Sequence, residues 1–387
     1  MTAAADATGP VPGHSPASVP PLTDDQVAVV ALAGLETLGH RRIRLLCAHY
    51  PGPAAAARGI VAGTARAVLA PTFGTAHAHL LDPCCARWSR DLDLAATRST
   101  LEQRAARVWL GNSPGFPVTE PLPDLPVALV AEGARADALD RPRVAIVGTR
   151  TATPHGLADA HDLAATLAAA GVTVVSGLAL GIDGAAHAGV VAVGGTTIGV
   201  VATGLDVEYP RRHRRLYADV RAHGLVLGET GYGVGPTPWR FPIRNRIIAA
   251  LADVVVVVEA TRTGGARITA EHALRYDRAV FAVPGSRRNP AAAGTNALIA
   301  DGAHPLTDWD EVLLALGMTP GARRTPPLRP VPDPVGRAVL AALGGEPASP
   351  EQLAARTRLD PETVALALTT LTRTGWITMH QGVVWPS

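Results

Sequence analysis

Glycine and arginine residues cluster where apolar stretches of the chain end, and these two residue types can together hold a phosphate group. Gly148 and Arg150 directly follow the apolar run 144–147. Glycine lets the backbone approach a ligand closely, and a guanidinium group can bind a phosphate through two parallel hydrogen bonds. The pattern predicts a phosphate contact at the end of a buried strand.

A second cluster follows the next apolar run. Ser176, Gly177 and Gly181 precede a predicted helix, and we expect the N–H groups at its start to form an anion-binding nest. The glycine spacing, G-x-x-x-G-x-x-G, differs from the dinucleotide-binding pattern G-x-G-x-x-G. Asp183 either caps the helix or faces the ligand, and His187, four residues later, is within hydrogen-bonding reach of it.

The densest charge in the chain follows Tyr209 and Pro210. Arg211 and Arg212 begin a run of four arginines within 211–215. Such a run is usually a solvated surface, but this one starts where a predicted strand ends. We therefore favour contact with phosphates.

Aromatic and basic residues alternate in a fourth segment. It comprises Trp239, Arg240, Phe241, Pro242, Ile243, Arg244, Asn245 and Arg246. Arginine pairs with phosphate while an aromatic ring stacks on an unpaired base, so this alternation is typical of sites for single-stranded nucleic acid.

Parallel strands would position all four clusters. The predicted strands are 144–148, 172–177, 197–202, 225–227, 253–259 and 279–284. Helical stretches alternate with the strands, which predicts an α/β fold with an open, doubly wound sheet. In such a sheet, ligands bind beyond the carboxyl ends of the strands.

Composition shifts divide the chain into six predicted segments. They are a disordered tail (1–22), an N-terminal helical domain (23–110), a connecting segment (111–140), a Rossmann-like domain (141–317), a proline-rich linker (318–333) and a winged helix (334–387). Closely spaced prolines mark the tail and the linker.

Two features outside the central domain have competing interpretations. The turn between Gly34 and Gly39 is similar to a degenerate helix-hairpin-helix, which can grip DNA phosphates, but its surroundings are net acidic and favour a packing module. The predicted helix 361–374 could enter a groove of duplex DNA. It offers only Arg373 as a cation, which favours protein contact or structural closure instead.

Composition excludes several classes of chemistry. The 387 residues include 35 arginines and no lysine, which rules out mechanisms based on a P-loop, kinase-type or Schiff-base lysine. With a net charge of only +2, any anion site must be a local patch. Cys47, Cys84 and Cys85 form no C-x-x-C pair, so we predict neither disulfides nor a metal site. We expect a cytoplasmic protein without a signal peptide or membrane span.

The order and spacing of seven motifs over about 160 residues resemble the DNA-processing protein family DprA, also called Smf. The motifs are VAIVGTR at 144–150, SGLALGIDGAAH at 176–187, GLDVEYP at 204–210, FPIRNRIIA at 241–249, VVVEATRTGGARITAEHA at 256–273, FAVPG at 281–285 and GTNALIADGA at 294–303.

The resemblance implies an extended Rossmann-like fold, an N-terminal helix-hairpin-helix or SAM-like domain and a C-terminal winged helix. It further implies a homodimer that binds single-stranded DNA, protects incoming DNA and loads the RecA recombinase during natural transformation, with no catalytic activity, metal or cofactor. The implied DNA-binding residues are Gly148, Arg150, Ser176, Gly177, Gly181, Asp183, Arg211, Arg212, Phe241, Arg244, Asn245 and Arg246.

The chain departs from the family pattern at three positions. Leu180 stands where the family usually has arginine, His213 where it usually has asparagine, and Arg267 where a small or apolar residue is typical. Leu274 and Val280 are candidates for the dimer contact by resemblance alone.

Two other functions remain as alternatives. Related Rossmann-like proteins hydrolyse nucleoside monophosphates through P-G-G-x-G-T-x-x-E, which this chain lacks, although Glu259 and Glu271 could still act as acid or base. A transcription regulator would read duplex DNA through the winged helix, but that segment has few side chains able to read bases.

Overall fold

The computed structural model describes residues 21–111, 113–118, 122, 124–319, 332–344, 347–380 and 382–386. Most of the predicted disordered tail and most of the predicted linker lie outside these residues. The chain divides into two compact units. Unit 1 comprises Met1–Arg141 and Thr196–Leu251, and unit 2 comprises Pro142–Gly195 and Ala252–Ser387. Because each unit combines parts of several predicted segments, the six boundaries remain a prediction.

Helices dominate the N-terminal part. They are α1 (Asp24–Gly34), α2 (Gly39–His49), α3 (Pro53–Val61), α4 (Ala65–Leu69), α5 (Gly74–His77), α6 (Leu81–Asp91) and α7 (Leu94–Gln103). Thr23 caps α1, in a reciprocal arrangement with Gln26.

Strands and helices alternate in the central part. In chain order they are β1 (Arg107–Leu110), β2 (Ala128–Glu132), β3 (Arg143–Val147), α8 (Pro154–Ala169), β4 (Thr173–Ser176), α9 (Ile182–Ala192), β5 (Thr197–Val200), α10 (Arg214–His223), β6 (Gly224–Gly228), α11 (Arg240–Leu251), β7 (Val254–Val257), α12 (Gly265–Arg275), β8 (Ala279–Ala282), α13 (Ala293–Ala300), β9 (His304–Pro305) and α14 (Asp310–Ala315). The six predicted strands are β3 to β8, whereas β1, β2 and β9 were not predicted.

The strands of unit 1 follow the order β1-β2-β6-β5. The β1–β2 and β2–β6 pairs are antiparallel, and β5 and β6 are parallel, with Thr197 opposite Gly224. Every residue of β2, β5 and β6 is buried. These strands are therefore covered on both faces.

The strands of unit 2 follow the order β4-β3-β7-β8-β9, and the described pairs are parallel. From β3 the chain proceeds to β4 on one side, and β7 and β8 lie on the other. This reversal produces the predicted doubly wound pattern and marks a topological switch point at β3. The apolar faces of α8 and α9 pack with β3 and β7 in one core, which includes Ile146, Leu163, Val190 and Val256.

Two glycines allow the loops after β3 and β4 to touch. A methyl group at Gly181 would overlap the carbonyl oxygen of Thr149, and one at Gly148 would overlap the side chain of Ile182. Gly181 also has φ +79°, where side chains are strained. The contact places Arg150 beside the start of α9.

Glu259 ties the end of β7 to the start of α8. Its carboxylate accepts hydrogen bonds from the N–H of Thr153 at 2.9 Å and from the hydroxyl of Thr153 at 2.7 Å. Its backbone carbonyl accepts from the N–H of Thr149 at 2.7 Å. The residue is buried, so these bonds stabilise the loop that carries Arg150.

The C-terminal part has three helices and a hairpin, which is the arrangement of the predicted winged helix. The elements are α15 (Pro334–Leu343), α16 (Pro350–Thr357), α17 (Pro361–Arg373), β10 (Ile377–His380) and β11 (Val383–Pro386). Ser349 and Asp360 cap α16 and α17, and each directly precedes a proline at the first helical position. A separate core contains Val339, Leu353 and Leu368.

No helix within the described ranges is both long enough and apolar enough to span a bilayer.

Replacing Gly181 with alanine should destabilise the protein more than the same change at Gly171. Both residues have positive φ, but an added methyl at Gly171 would meet nothing within 4 Å. Gly171→Ala should cost about 1–2 kcal/mol from backbone strain alone. Urea denaturation measures both losses of unfolding free energy, and equal losses would contradict the loop contact.

Glu259→Ala should lower the free energy of unfolding by about 1–3 kcal/mol, because it leaves the half-buried donors of Thr153 without their acceptor. The matched control is Glu271→Ala, since Glu271 is exposed on α12. The control should change stability by less than about 0.5 kcal/mol. Thermal and urea unfolding measure the loss of stability in both variants. Equal losses would contradict the stabilising role of Glu259.

Candidate functional site

The predicted site residues of unit 2 lie in the loops after β3 and β4. Gly148 and Arg150 follow β3, and the side chain of Arg150 is exposed. Ser176 ends β4, where its buried hydroxyl donates to the carbonyl of Ile146 at 2.6 Å. The structure therefore brings Gly148, Arg150 and Ser176 together, and it uses the serine hydroxyl to join β4 to β3.

Asp183 closes the loop after β4. Its carboxylate, 6% exposed, accepts from the N–H of Gly177 at 3.1 Å. The interpretation of Asp183 as the helix cap is wrong, because Gly181 is the N-cap of α9. The N–H of Ile182 donates to the carbonyl of Thr149 at 3.3 Å. The N–H groups of Gly177 and Ile182 are therefore already bonded within these loops. Fewer donors remain for the predicted anion-binding nest.

Leu178 in this loop has an unusual backbone conformation that the sequence does not reveal. It is fully buried and has φ +54°, a region that residues with side chains rarely adopt. The fully buried His187 lies one turn into α9, and its expected bond to Asp183 remains a prediction. Such strained positions often occur where a loop is shaped for a ligand.

The predicted site residues of unit 1 include a surface of aromatic rings and arginines. We call the exposed or half-buried residues Tyr209, Arg211, Arg212, Trp239, Arg240 and Phe241 the arginine–aromatic surface. The rings of Tyr209 and Phe241 have centroids 5.7 Å apart. The Arg240 guanidinium lies 4.6 Å from the Trp239 ring centroid, and Trp239 is 49% exposed. Stacking planes and cations therefore occur side by side, as the sequence pattern predicts.

A network behind this surface fixes the loop before Arg211, and sequence analysis missed it. Arg221 bonds through Nη1 to Glu208 at 2.8 Å and through Nη2 to the carbonyl of Leu205 at 2.6 Å. The hydroxyl of Tyr217 donates to the carbonyl of Tyr209 at 2.9 Å, next to a cis peptide bond before Pro210. In the sequence, Glu208 and Arg221 are only two opposite charges 13 residues apart, and that spacing does not indicate an ion pair.

Arg244 and Arg246 differ from the expectation that they present cations to DNA. Only 5% of Arg244 and 4% of Arg246 is exposed. Arg244 donates to the carbonyl of Val200 and to Oδ1 of Asn245, and Arg246 pairs with Glu229 at 2.5 Å. Both guanidinium groups turn inward because they bind acceptors at the ends of β5 and β6. In this structure they hold α11 in place.

The positions that depart from the family pattern are also defined. Leu180 and His213 are half-buried in their loops, and Arg267 lies 3.6 Å from the carboxylate of Asp301. Leu274 is 62% exposed, whereas Val280 is buried in β8 and offers no surface. Among the described residues, no group of histidine, cysteine or acidic side chains is arranged to hold a metal ion.

Comparison with known proteins identifies relatives along most of the chain. The family model of DNA recombination-mediator protein A matches residues 108–317, and that of the DprA winged helix domain matches residues 323–382. Protein Smf of Synechocystis is 36% identical over 275 residues, which are 62% of this chain and 69% of that protein.

Two further relatives agree with this assignment. A putative DNA processing protein DprA of Mycobacterium tuberculosis is 44% identical over 193 residues, which are 50% of each protein. The X-ray structure of DNA processing protein A from Streptococcus pneumoniae superposes with a TM-score of 0.59 and 30% identity, covering 76% of this chain and 98% of that one. Since the first family model alone spans more than half of the 387 residues, the chain belongs to the DprA (Smf) family.

Proposed function

We propose that this protein binds single-stranded DNA and delivers it to a RecA recombinase. The observation that carries the proposal is the arginine–aromatic surface, where the rings of Tyr209 and Phe241 pack together, Arg240 lies over the ring of Trp239, and the exposed Arg211 and Arg212 follow Tyr209 in the chain. Bases of a single strand are free to stack on such rings while the phosphates pair with guanidinium groups. Membership of a family described as recombination mediators supports the same function.

The proposed roles divide the site residues into two groups. Arg150, Arg211 and Arg212 are exposed and contact phosphates, and Phe241 contacts a base. The remaining residues shape the loops and the helix that carry those side chains. They are Gly148, Ser176, Gly177, Gly181 and Asp183 in the loops of unit 2, and Arg244, Asn245 and Arg246 in α11.

The biological setting that we propose is recombination of incoming DNA during natural transformation, in the cytoplasm, with the protein acting as a homodimer. The names of the relatives, DNA processing protein and recombination-mediator protein, support a role in the recombination of DNA. The exposed Leu274 on α12 supports a protein contact there, because a large apolar side chain is costly to leave in water. Protection of the bound strand would follow from covering its phosphates.

Hydrolysis of nucleoside monophosphates is the alternative function. It would require an acidic side chain able to exchange a proton with a substrate. Both carboxylate oxygens of Glu259 are engaged by Thr153, and Glu271 lies exposed on α12. This arrangement favours binding without catalysis. Release of free base from a nucleoside monophosphate would support the hydrolase instead.

We expect the protein to bind unstructured single strands more tightly than duplex DNA of equal length. Binding should weaken steeply with salt, with the logarithm of the affinity falling by about 0.7 per phosphate contact for each unit of log salt concentration. Gel-shift titrations over a range of salt concentrations, with unlabelled single-stranded and duplex competitors, measure both properties. A preference for duplex, or an affinity independent of salt, would refute the proposal.

Arg150→Ala should weaken binding to every single-stranded sequence by roughly five- to tenfold and reduce the salt slope by about 0.7, because one phosphate contact is lost. Arg58→Ala is the matched control, since Arg58 is exposed on α3 and the change in net charge is the same. Fluorescence anisotropy with two unrelated oligonucleotides measures both variants. If the control loses as much affinity as Arg150→Ala, the effect is one of overall charge and not of this loop.

A further inference from the structure

One buried carboxylate lies behind both loops that carry the arginine–aromatic surface. It belongs to Glu132, the last residue of β2, and only 4% of this residue is exposed. The loop after β5 carries Tyr209, Arg211 and Arg212, and the loop after β6 carries Trp239. A carboxylate is costly to bury unless its oxygens have partners, so the partners of Glu132 define what it holds.

The first oxygen of Glu132 holds the loop after β6. Oε1 accepts a hydrogen bond from the hydroxyl of Tyr232 at 2.9 Å. The N–H of Gly233, the next residue, donates to both carboxylate oxygens of Asp206 at 3.0 Å. The loop after β6 is therefore anchored at Tyr232 and joined to the loop after β5 one residue later.

The second oxygen of Glu132 holds the loop after β5 through Arg221. Oε2 pairs with Nη1 of Arg104 at 3.1 Å and with Nε of Arg221 at 3.3 Å. Nη1 of Arg221 in turn donates to Oε1 of Glu208 at 2.8 Å. Glu208 directly precedes Tyr209 in the chain. The carboxylate of Glu132 thus acts on the loop that ends in the exposed arginines.

Aromatic rings fix the orientation of the two guanidinium groups. Arg104 lies 5.5 Å from the ring centroid of Tyr232, and Arg221 lies 5.7 Å from that of Tyr217. A cation at such a distance is attracted to the ring face. The hydroxyl of Tyr217 also donates to the carbonyl of Tyr209 at 2.9 Å. Each guanidinium group is therefore held both by the shared carboxylate and by a ring.

The charges of this network balance. The guanidinium groups of Arg104 and Arg221 face the carboxylates of Glu132 and Glu208. Buried ion pairs add little to stability, because the cost of taking the charges out of water offsets their attraction. Loss of one partner, however, leaves the others without their counter-charge. The network therefore determines the geometry of the two loops more than it stabilises the fold.

We infer that Glu132 is a positioning residue for strand binding. Because it is buried, it acts on the DNA only through the two loops, which it holds so that the ring of Trp239 and the guanidinium groups of Arg211 and Arg212 meet one strand. Glu132 lies outside all seven sequence motifs. The inference rests on the proposed function, to which it adds the residue that joins the stacking side of the surface to its phosphate-binding side.

Glu132→Ala should weaken the binding of single strands about five- to tenfold and lower the salt slope by about 0.7 to 1.4, which corresponds to one or two lost phosphate contacts. Glu132→Gln should restore most of the affinity, because its amide can accept from a guanidinium group and donate to the hydroxyl of Tyr232. Fluorescence anisotropy measures the binding at temperatures where circular dichroism shows each variant to be folded. Wild-type affinity and salt slope in Glu132→Ala overturn the inference.

Asp137→Ala is the matched control for the change in charge. The carboxylate of Asp137 also accepts hydrogen bonds from two arginines, Arg135 and Arg141. Removal of a negative charge by itself favours DNA binding, so the control should bind at least as tightly as wild type. The loss expected for Glu132→Ala has the opposite sign. An equal loss in the control overturns the inference.

A double-mutant cycle separates positioning from a general loss of structure. In a protein that carries Arg211→Ala and Arg212→Ala, Glu132→Ala should weaken binding only about twofold, because the phosphate contacts that it positions are already absent. Combined with Arg150→Ala, it should keep its full effect, because Glu259 holds the loop of Arg150. Equal effects in the two backgrounds overturn the inference.

Tyr232→Phe tests the inference if Glu132→Ala does not fold. It removes only the hydroxyl that binds Oε1 of Glu132, which loosens the loop of Trp239. Binding should weaken about threefold with an unchanged salt slope, since the phosphate contacts remain. Wild-type affinity in Tyr232→Phe overturns the inference. If wild type itself does not bind single strands, the proposed function fails and this inference fails with it, whereas tight wild-type binding with unaffected variants removes this inference alone.

Discussion

The contact between the loops after β3 and β4 is the constraint on which unit 2 depends. Gly148 and Gly181 lack side chains, and the two backbones therefore approach to distances that any Cβ atom would prevent. The N–H of Thr149 donates to the carbonyl of Glu259, and the N–H of Ile182 donates to the carbonyl of Thr149. The segments that follow the neighbouring strands β4, β3 and β7 are therefore joined through their main chains. A loop held in this way can present one exposed side chain, Arg150, from a fixed point.

In unit 1, buried charged groups hold the site residues in a fixed position. Arg246 and Glu229 form an ion pair almost without solvent, and Arg244 binds a main-chain carbonyl at the end of β5. Removing a guanidinium from water is unfavourable, so these bonds determine where α11 can begin more than they add to stability. The position of α11 in turn determines where Trp239 and Phe241 present their rings. Two arginines of one short segment thus have different roles. Arg240 reaches the surface, and the buried Arg246 supports it.

The parallel strands could be predicted because each is a short apolar run ending in small or polar residues, as in 144–148 and 253–259. Helix starts at Thr23, Ser349 and Asp360 were equally readable, since capping is a local interaction. The strands β1 and β2 were missed because they pair antiparallel at the side of unit 1 and carry no glycine motif. The burial of Arg244 could not be predicted, because its acceptor belongs to a strand more than forty residues away.

Every charged side chain that we propose to contact the DNA is an arginine. This limits how the cell could regulate the surface. A guanidinium group remains protonated at any physiological pH, and it is not a substrate for the acetylation that neutralises lysine. The charge of Arg150, Arg211 and Arg212 can therefore be neither titrated nor removed by acyl transfer. Under the proposed function, control over the release of a strand would come from competition, through salt, another protein or a second nucleic acid. A partner that takes over the strand would itself be the means of turning the surface off.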